Sequence, residues 1–415
     1  MTYCAIDFGT SNSAVALPGA PVRLAEVEGT FATLPTAVFF NVDEGRREFG
    51  RAAVQDYIDG YDGRLMRSMK SILGSSLAEQ TTDIGDGSAI RFVDVITLFL
   101  QHLKQKAEAT AQHTLTRTVL GRPVFFVDDD EQADRMAQNQ LQAAAHAVGF
   151  SEIHFQYEPI AAAFDYESRL QEERLVLVAD IGGGTSDFSL VRVGPQRAAK
   201  LERKDDVLAH HGVHVAGTDF DKRVELTSIM RELGYQSMAP EGREVPSRVY
   251  FDLSTWHLIN SVYSPRRFGE FKLIKHLYTD PQHHTRLMRV IERRLGHVLM
   301  GQAEQAKIAV AAVGSTSIDL EQVEEALRIA FDERHLIDAG QEEKSRIAQA
   351  ARETALMAGV SPDQVAAIYF TGGTTGLKFL SDAFAGAFPA AEAVFGDPLA
   401  CVAKGLGIHA QRIFS

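Results

Sequence analysis

Cysteine is nearly missing from this chain, which has only Cys4 and Cys401 in 415 residues. Neither sits in a CxxC pair, and no basic N-terminus leads into an apolar leader-like run. A disulfide framework is therefore excluded and a reducing, cytoplasmic setting is expected. No apolar run approaches the roughly 20 residues that a membrane span needs. Positive charge is also scarce. The net charge of −13 leaves no broad basic field for nucleic acid or an anionic membrane, so neither is expected as a partner. Low-complexity linkers are absent, which favours lobes sharing a cleft over separate beads. With 45% hydrophobic residues the chain can still bury more than one core, and its length suggests about two to four domains.

What is present is a pattern stated twice. YCAIDF (3–8) and SAVAL (13–17) read as short strands around GTSN, and RLVLVADI (174–181) and DFSLVRV (187–193) read the same way around GGGTS. Asp7-Phe8-Gly9 and Asp180-Ile181-Gly182 each end a buried strand, and each turn carries a threonine followed by serine, Thr10-Ser11 and Thr185-Ser186. A repeat at this spacing predicts two related lobes rather than a solenoid, whose period is about 20 to 50 residues. Helices are predicted over 94–112, with Asp94 as N-cap, and over 131–148, closed by Gly149. RTVLGRPVFFV between them reads as a strand, HFQYEPIAAAFDY as a strand-to-helix passage, and AAIYF as a late strand before TGGTTG and another helix.

A tight turn gathers backbone N–H groups into a concavity, and glycine lets a ligand approach where a Cβ would clash. Phosphate suits such a nest, each N–H contact contributing roughly 1.5–3 kcal/mol. Two nests facing each other would hold a triphosphate without arginine. Asp7 and Asp180 would face the same cleft and suit a hydrated Mg2+ ion, which keeps waters and takes few protein ligands. No GxxxxGK[ST] is present and no GxGxxG opens a helix, so this is neither a P-loop nor a dinucleotide fingerprint. His210 and His214 in AHHGVH have i,i+4 spacing. Metal binding there is the lesser reading, because lone histidine clusters seldom ligate a metal. DDDEQAD (128–134) is read as an acidic first turn favoured by the helix dipole.

AIDFGTSNSAVAL, YEPIAAAFDY, ADIGGGTSDFSLV, VAGTDFD, AEQAKIAV and IYFTGGTT follow the order of the actin-like ATPase superfamily. They resemble most closely the nucleotide-binding domain of Hsp70 chaperones. GRPV and LSTWHLINSVYSPRR resemble the short YegD-type homologues within that family. The resemblance implies an α/β, actin-like ATPase fold of two lobes, each built on a duplicated RNase H-like core, with a nucleotide cleft between them. Lobe I would span 1–175 with the C-terminal helix at about 398–415, and lobe II 176–397, with its outer subdomain at about 222–310. It further implies ATP/ADP with Mg2+ as cofactors, and slow ATP hydrolysis driving lobe closure. Gly9, Thr10, Ser11 and Asn12 would form the first phosphate hairpin, and Gly182, Gly183, Gly184 and Thr185 the second. Asp7, Asp180 and Asp187 would surround the magnesium, largely through water. Lys70 in RSMKSILG would act on the γ-phosphate together with Glu158, Thr185 and Asp180. Gly217, Glu304, Lys307, Gly372, Gly373 and Thr374 would line the adenosine side.

Several positions depart from the family pattern. The glycine pair is followed by Thr374-Thr375-Gly376 rather than by the usual arginine that stacks on adenine, and Ala311 stands in for a serine, so adenine recognition is expected to be thinned. Pro123 matches the proline of the family's allosteric relay, but Glu131 occupies its arginine position. The sequence ends without a peptide-holding sandwich, so a nucleotide switch with an unidentified protein partner or client is expected, as a monomer. A bacterial-actin-like filament and a small-molecule kinase on the same fold are the alternatives.

Overall fold

The computed structural model describes residues 2–398 and 400–415. It divides into two compact units. The first comprises the chain through Val213 together with Gln349–Thr375 and Phe384–Ser415, and the second comprises His214–Ala348 and Gly376–Ala383.

The first unit contains the doubled pattern. Strands β1 (Tyr3–Phe8) and β2 (Asn12–Leu17) form an antiparallel hairpin, and β1 then pairs in parallel with β3 (Arg117–Arg122), and β3 with β4 (Glu152–Tyr157). The short strand Arg23–Leu24 closes the other edge, antiparallel to β2. The second sheet repeats this path. β5 (Arg174–Ile181) and β6 (Ser186–Val193) form the hairpin, β7 (Val207–Val213) lies antiparallel outside β6, and β8 (Ala367–Thr371) and β9 (Glu392–Phe395) continue in parallel from β5. Strands buried on both faces read as continuous apolar runs rather than alternating ones, which is why YCAIDF and AIYFT announce themselves. Most of AHHGVH lies in the edge strand β7, with His214 in a bend just beyond it, so His210 and His214 lack the helical spacing a metal pair would use.

Helices fill the space these sheets leave. α1 (Phe92–Ala111) starts two residues before the expected Asp94, with Arg91 at the cap. Asp94 instead lies in the first turn, where the helix dipole still favours it, and bonds the Arg91 guanidinium at 2.7 and 2.9 Å. α2 (Glu131–Ala147) is capped by Asp130, which accepts from Gln132 N and Ala133 N, and so the acidic run has its expected role. β3 ends at Arg122 because Pro123 has no N–H to continue a ladder. α3 (Glu158–Glu167) and α4 (Cys401–Phe414) share one core with residues of both sheets, among them Ala5, Val119, Val178 and Tyr369. The two helices cross at close range: a Cβ on Gly405 would lie 1.9 Å from the carbonyl oxygen of Ala161. The small residues of EPIAAAF and KGLGI thus set this approach.

The second unit is mainly helical. Helix Gly217–Val224 runs into a π turn at Glu225–Ile229 and packs on Gly296–Val313, with the hairpin Ser315–Asp319/Arg328–Asp332 beside it. Phe220, Val224, Ile229, Leu299 and Ala303 are buried there.

Candidate functional site

The two hairpin turns have equal length, and register fixes their correspondence. Phe8 pairs with Ser13 across the first turn and Ile181 with Ser186 across the second. Gly9 therefore matches Gly182, Thr10 matches Gly183, Ser11 matches Gly184 and Asn12 matches Thr185. The Thr-Ser pairs visible in the sequence are not equivalent positions. Asp180 pairs with Asp187, whereas Asp7 pairs with Ala14, so only the second hairpin carries a carboxylate on both strands.

Each turn is clamped by a threonine from elsewhere in the chain. Thr36 Oγ1 donates to the Gly9 carbonyl at 2.8 Å and meets Ser13 Oγ at 2.9 Å, while Thr36 N donates to the Ser11 carbonyl at 2.9 Å. Thr374 Oγ1 donates to the Gly182 carbonyl at 2.7 Å, and Thr374 N to the Ile181 carbonyl at 3.1 Å. Gly9 admits no side chain, since a Cβ would sit 2.2 Å from the Asn12 carbonyl oxygen. Gly372 has φ +89°, and its absent Cβ would lie 2.4 Å from the Ile181 carbonyl oxygen and 2.6 Å from Asp180 Oδ1. The late TGG turn is thereby pressed onto the second hairpin. The hairpins also approach each other: a Cβ on Gly183 would lie 3.2 Å from Ser11 Oγ.

Lys70 lies in a 3-10 turn, Met69–Ile72, pinned by buried Met69 and Leu73. It is no solvated surface lysine. Only 8% exposed, its Nζ lies 2.5 Å from Oε1 of Glu158, the first residue of α3, whose first turn also carries a proline. Gly121 of β3 leaves room for this glutamate, since a Cβ there would be 3.2 Å from Glu158 Oε1. Asp7 and Asp180 lie deep in the protein while keeping some solvent contact. Lost hydration pushes Asp7 up to about 8, with Glu158 and Asp180 adding repulsion and Lys70 opposing it. Lost hydration likewise pushes Asp180 up to about 7, with Asp187 and Glu158 repelling and Lys70 again opposing. Thr185 Oγ1 donates to Asp187 Oδ2 at 2.9 Å. The first unit therefore brings together Asp7, Lys70, Glu158, Asp180, Thr185 and Asp187 with both glycine-bearing turns.

In the second unit Lys307 is buried, its Nζ 2.7 Å from Asp221 Oδ1 and 3.2 Å from the Gly217 carbonyl. Burial raises Asp221 to about 6 against the pull of Lys307. Glu304 is exposed on the same helix. Of the adenosine-side residues read from the sequence, Gly217 and Lys307 thus meet in one unit, while Gly372, Gly373 and Thr374 belong to the other.

Three roles escaped the sequence. Thr36 and Thr374 act on carbonyls 27 and 192 residues away, and no local signal marks a clamp. The sequence marks Thr374 only as a ligand-side residue. His210 places Nδ1 3.1 Å from Ser189 Oγ and Nε2 3.9 Å from Asp187 Oδ1. An inward-facing histidine opposite SDFS would have been found only with the β6–β7 register in hand.

No group of three or more His, Cys, Asp or Glu side chains among the described residues is arranged to grip a bare metal ion. Among the described residues no helix is long and apolar enough to cross a membrane. The Hsp70 protein family model matches residues 3–233, more than half of the chain, and this span includes both hairpins, Lys70, Glu158 and Gly217. This chain belongs to the Hsp70 family.

Proposed function

We propose that the chain is a Mg2+-dependent ATPase acting as a nucleotide switch, with hydrolysis chemistry centred on the Lys70–Glu158 pair. Family membership carries an Hsp70-like nucleotide-binding function and a general ATPase activity. The observation that supports the finer reading is a buried Lys70–Glu158 ion pair set beside two carboxylates, Asp7 and Asp180, that repel within the protein. Removing one of two opposed charges from water is costly, so a site holding several carboxylates against one lysine is built to receive more positive charge.

The residues fit a hydrated magnesium ion: its waters, rather than direct ligation, suit carboxylates not arranged to grip bare metal. When bound, the ion would neutralise phosphate charge. Asp7, Asp180 and Asp187 would orient its waters. The backbone N–H groups of the Gly9–Asn12 and Gly182–Thr185 turns would bind the phosphate oxygens, with the hydroxyls of Thr10, Ser11 and Thr185 beside them. Lys70 would lend its charge to the γ-phosphoryl oxygens as the bond to the leaving oxygen breaks. Glu158 would orient the attacking water through the pair it makes with Lys70. Gly217, Glu304, Lys307, Gly372, Gly373 and Thr374 would form the adenosine side, and closure of two lobes would be the output.

Calorimetric titration with ATP, ADP and GTP, with Mg2+ and with EDTA, followed by single-turnover hydrolysis, tests this reading. Binding of ATP that needs Mg2+, with slow release of phosphate, is the expected result. The absence of the stacking arginine predicts a reduced preference for ATP over GTP. A protein that binds no nucleotide at tenfold excess over millimolar concentration would defeat it.

A further inference from the structure

Charge is unevenly distributed along this acidic chain. Residues 235–300 hold ten Lys and Arg against six Asp and Glu, a net of +4 within a total of −13. Several of these cations are used internally: Arg267 on Asp252, Arg286 on Glu232 and Glu324, and Arg293 on the Gln322 carbonyl. The helix Pro265–Leu273 and the turn Ile274–Leu277 that follows it are different, because neither contains a buried residue. Leu273 is 77% exposed. Lys272 and Lys275 flank it, are exposed and form no ion pair among the described residues. Arg266 pairs only with Glu270 of its own helix, at the surface. Both ends are nevertheless fixed, by Arg267 on Asp252 and by the Tyr278 hydroxyl, 2.8 Å from that of Tyr250. The result is an anchored basic ridge with a leucine at its crest.

The chain also carries a surface of the opposite character. Between Phe125 and Met136, which are 49% and 41% exposed, the run DDDEQAD has no basic residue. Asp130 is used as the helix cap, Asp134 on Arg122, and Glu131 pairs at the surface with Arg135 at 3.5 Å, which leaves Asp128 and Asp129 facing solvent without an ion pair among the described residues. We propose that the acidic Phe125–Met136 lip of one copy docks on the basic Pro265–Leu277 ridge of a second copy. Two free carboxylates, the surface-paired Glu131 and an exposed phenylalanine meet two free lysines, the surface-paired Arg266 and an exposed leucine. Nucleic acid and anionic lipid are poorer occupants, since so few cations cannot offset repulsion from a chain of net −13. The contact departs from the monomer expected from sequence.

Lip and ridge are different patches, so each contact pairs unlike surfaces. A thirteen-residue ridge is smaller than the roughly 20–30 residues a side of a stable interface, so association is weak. It is also salt-sensitive, because screening shortens from about 10 Å at 0.1 M to about 3 Å at 1 M.

Sedimentation velocity of the full chain from roughly 10 μM to 1 mM tests the proposal, that range being where small interfaces populate. The sedimentation coefficient should rise with concentration in 0.1 M salt and stay flat in 1 M salt. Lys272→Glu with Lys275→Glu, and separately Asp128→Lys with Glu131→Lys, should each weaken association at least about tenfold. All four side chains are exposed, and a circular-dichroism melt verifies that each variant is folded. An equimolar mixture of the two variants should recover pairing, because the reversed ridge meets the reversed lip. A wild-type chain that stays monomeric throughout, or association indifferent to both reversals, overturns the proposal. So does failure of the mixture to pair. Binding of monomer to phosphatidylserine vesicles through Lys272 and Lys275 would give the ridge to a membrane instead and equally overturn it.

Discussion

The two hairpins share a backbone and divide the chemistry. The first turn offers side chains, Thr10, Ser11 and Asn12, on a frame where Gly9 is sterically required. The second offers three glycines and brings a second carboxylate, Asp187, opposite Asp180, where the first has Ala14 opposite Asp7. One topology used twice thus supplies a side-chain-rich turn and a backbone-rich turn facing each other across Ser11 and Gly183. A symmetric pair could cradle phosphate from both sides. For the proposed hydrolysis, the asymmetry would supply charge on one side, with the Lys70–Glu158 pair beside it.

The largest effect should come from Lys70, which belongs to neither turn. If the hairpins hold the ground-state phosphates and Lys70 acts on charge that develops in transfer, Lys70→Ala lowers single-turnover hydrolysis on the order of 10²- to 10³-fold. Affinity should fall only about tenfold, the scale of one phosphate contact. Equal losses in both would show that the lysine is part of the cradle, and the division between hairpins and chemistry would collapse. Because Lys70 is buried against Glu158, Lys70→Met with a melting curve separates lost chemistry from lost folding.

Glycine substitution distinguishes a turn's shape from its occupant. Gly9→Ala puts a Cβ against the Asn12 carbonyl, a backbone neighbour that can yield only by distorting the turn, and should cost about 1–3 kcal/mol of stability. Gly184→Ala meets nothing within 4 Å and should leave melting unchanged. Its nucleotide affinity should still drop if the second turn approaches phosphate closely. Thermal melts with and without ATP measure both. A Gly184→Ala protein with wild-type affinity would mean that the triple glycine serves something other than close approach.

The carboxylates set a pH profile. Asp7 and Asp180 are raised to about 8 and about 7, above the usual carboxylate range, chiefly because burial disfavours their charged forms. The folded state then holds more protons than the unfolded one between those limits, so stability falls as pH rises from about 5 to about 8. Calorimetry without nucleotide or metal should show this decline. Asp180→Asn should remove about half of the slope below about pH 7, and Asp7→Asn the other half together with the decline from about pH 7 to about pH 8, each raising the melting temperature at pH 8 by on the order of 3 °C or more and changing it least at pH 5. A flat wild-type profile would rule out the repulsion on which the cation argument rests.

How much of this was legible follows from the range of each signal. Strands, caps and the doubled motif are local, so apolar runs, Asp130 and the glycines declared them. Asp94 was misjudged by two residues because Arg91 bonds it from the preceding turn. Equating Thr10 with Thr185 failed for a similar reason: residue type suggested the alignment, but cross-strand register decides it. Burial of Lys70 depends on α3 arriving from 88 residues away, so only the resemblance, and not the residues around it, could single it out.

The clamps are the least legible feature and give the smallest test. Thr36 and Thr374 both cap a turn glycine carbonyl with a hydroxyl, but they are embedded differently. Each keeps a second hold through its backbone N–H, Thr36 on Ser11 and Thr374 on Ile181, but Thr36 shares its hydroxyl with Ser13 as well as Gly9, whereas among the described residues the Thr374 hydroxyl serves Gly182 alone. Valine keeps the shape of threonine and deletes the hydroxyl, so any loss reflects unsatisfied partners rather than a cavity. Thr36→Val strands two polar groups and should cost about 2 kcal/mol; Thr374→Val strands one and should cost about 1 kcal/mol. Combining Ser13→Ala with Thr36→Val should cost less than the two singles added together, because each deletion removes the partner the other leaves unpaired. Denaturant titration of the four variants and the wild type reads all of this from midpoints at constant slope. Equal costs for the two threonines, with strict additivity at Ser13, would show that the first hairpin is clamped by its glycine geometry alone and that the Thr36–Ser13 contact is incidental.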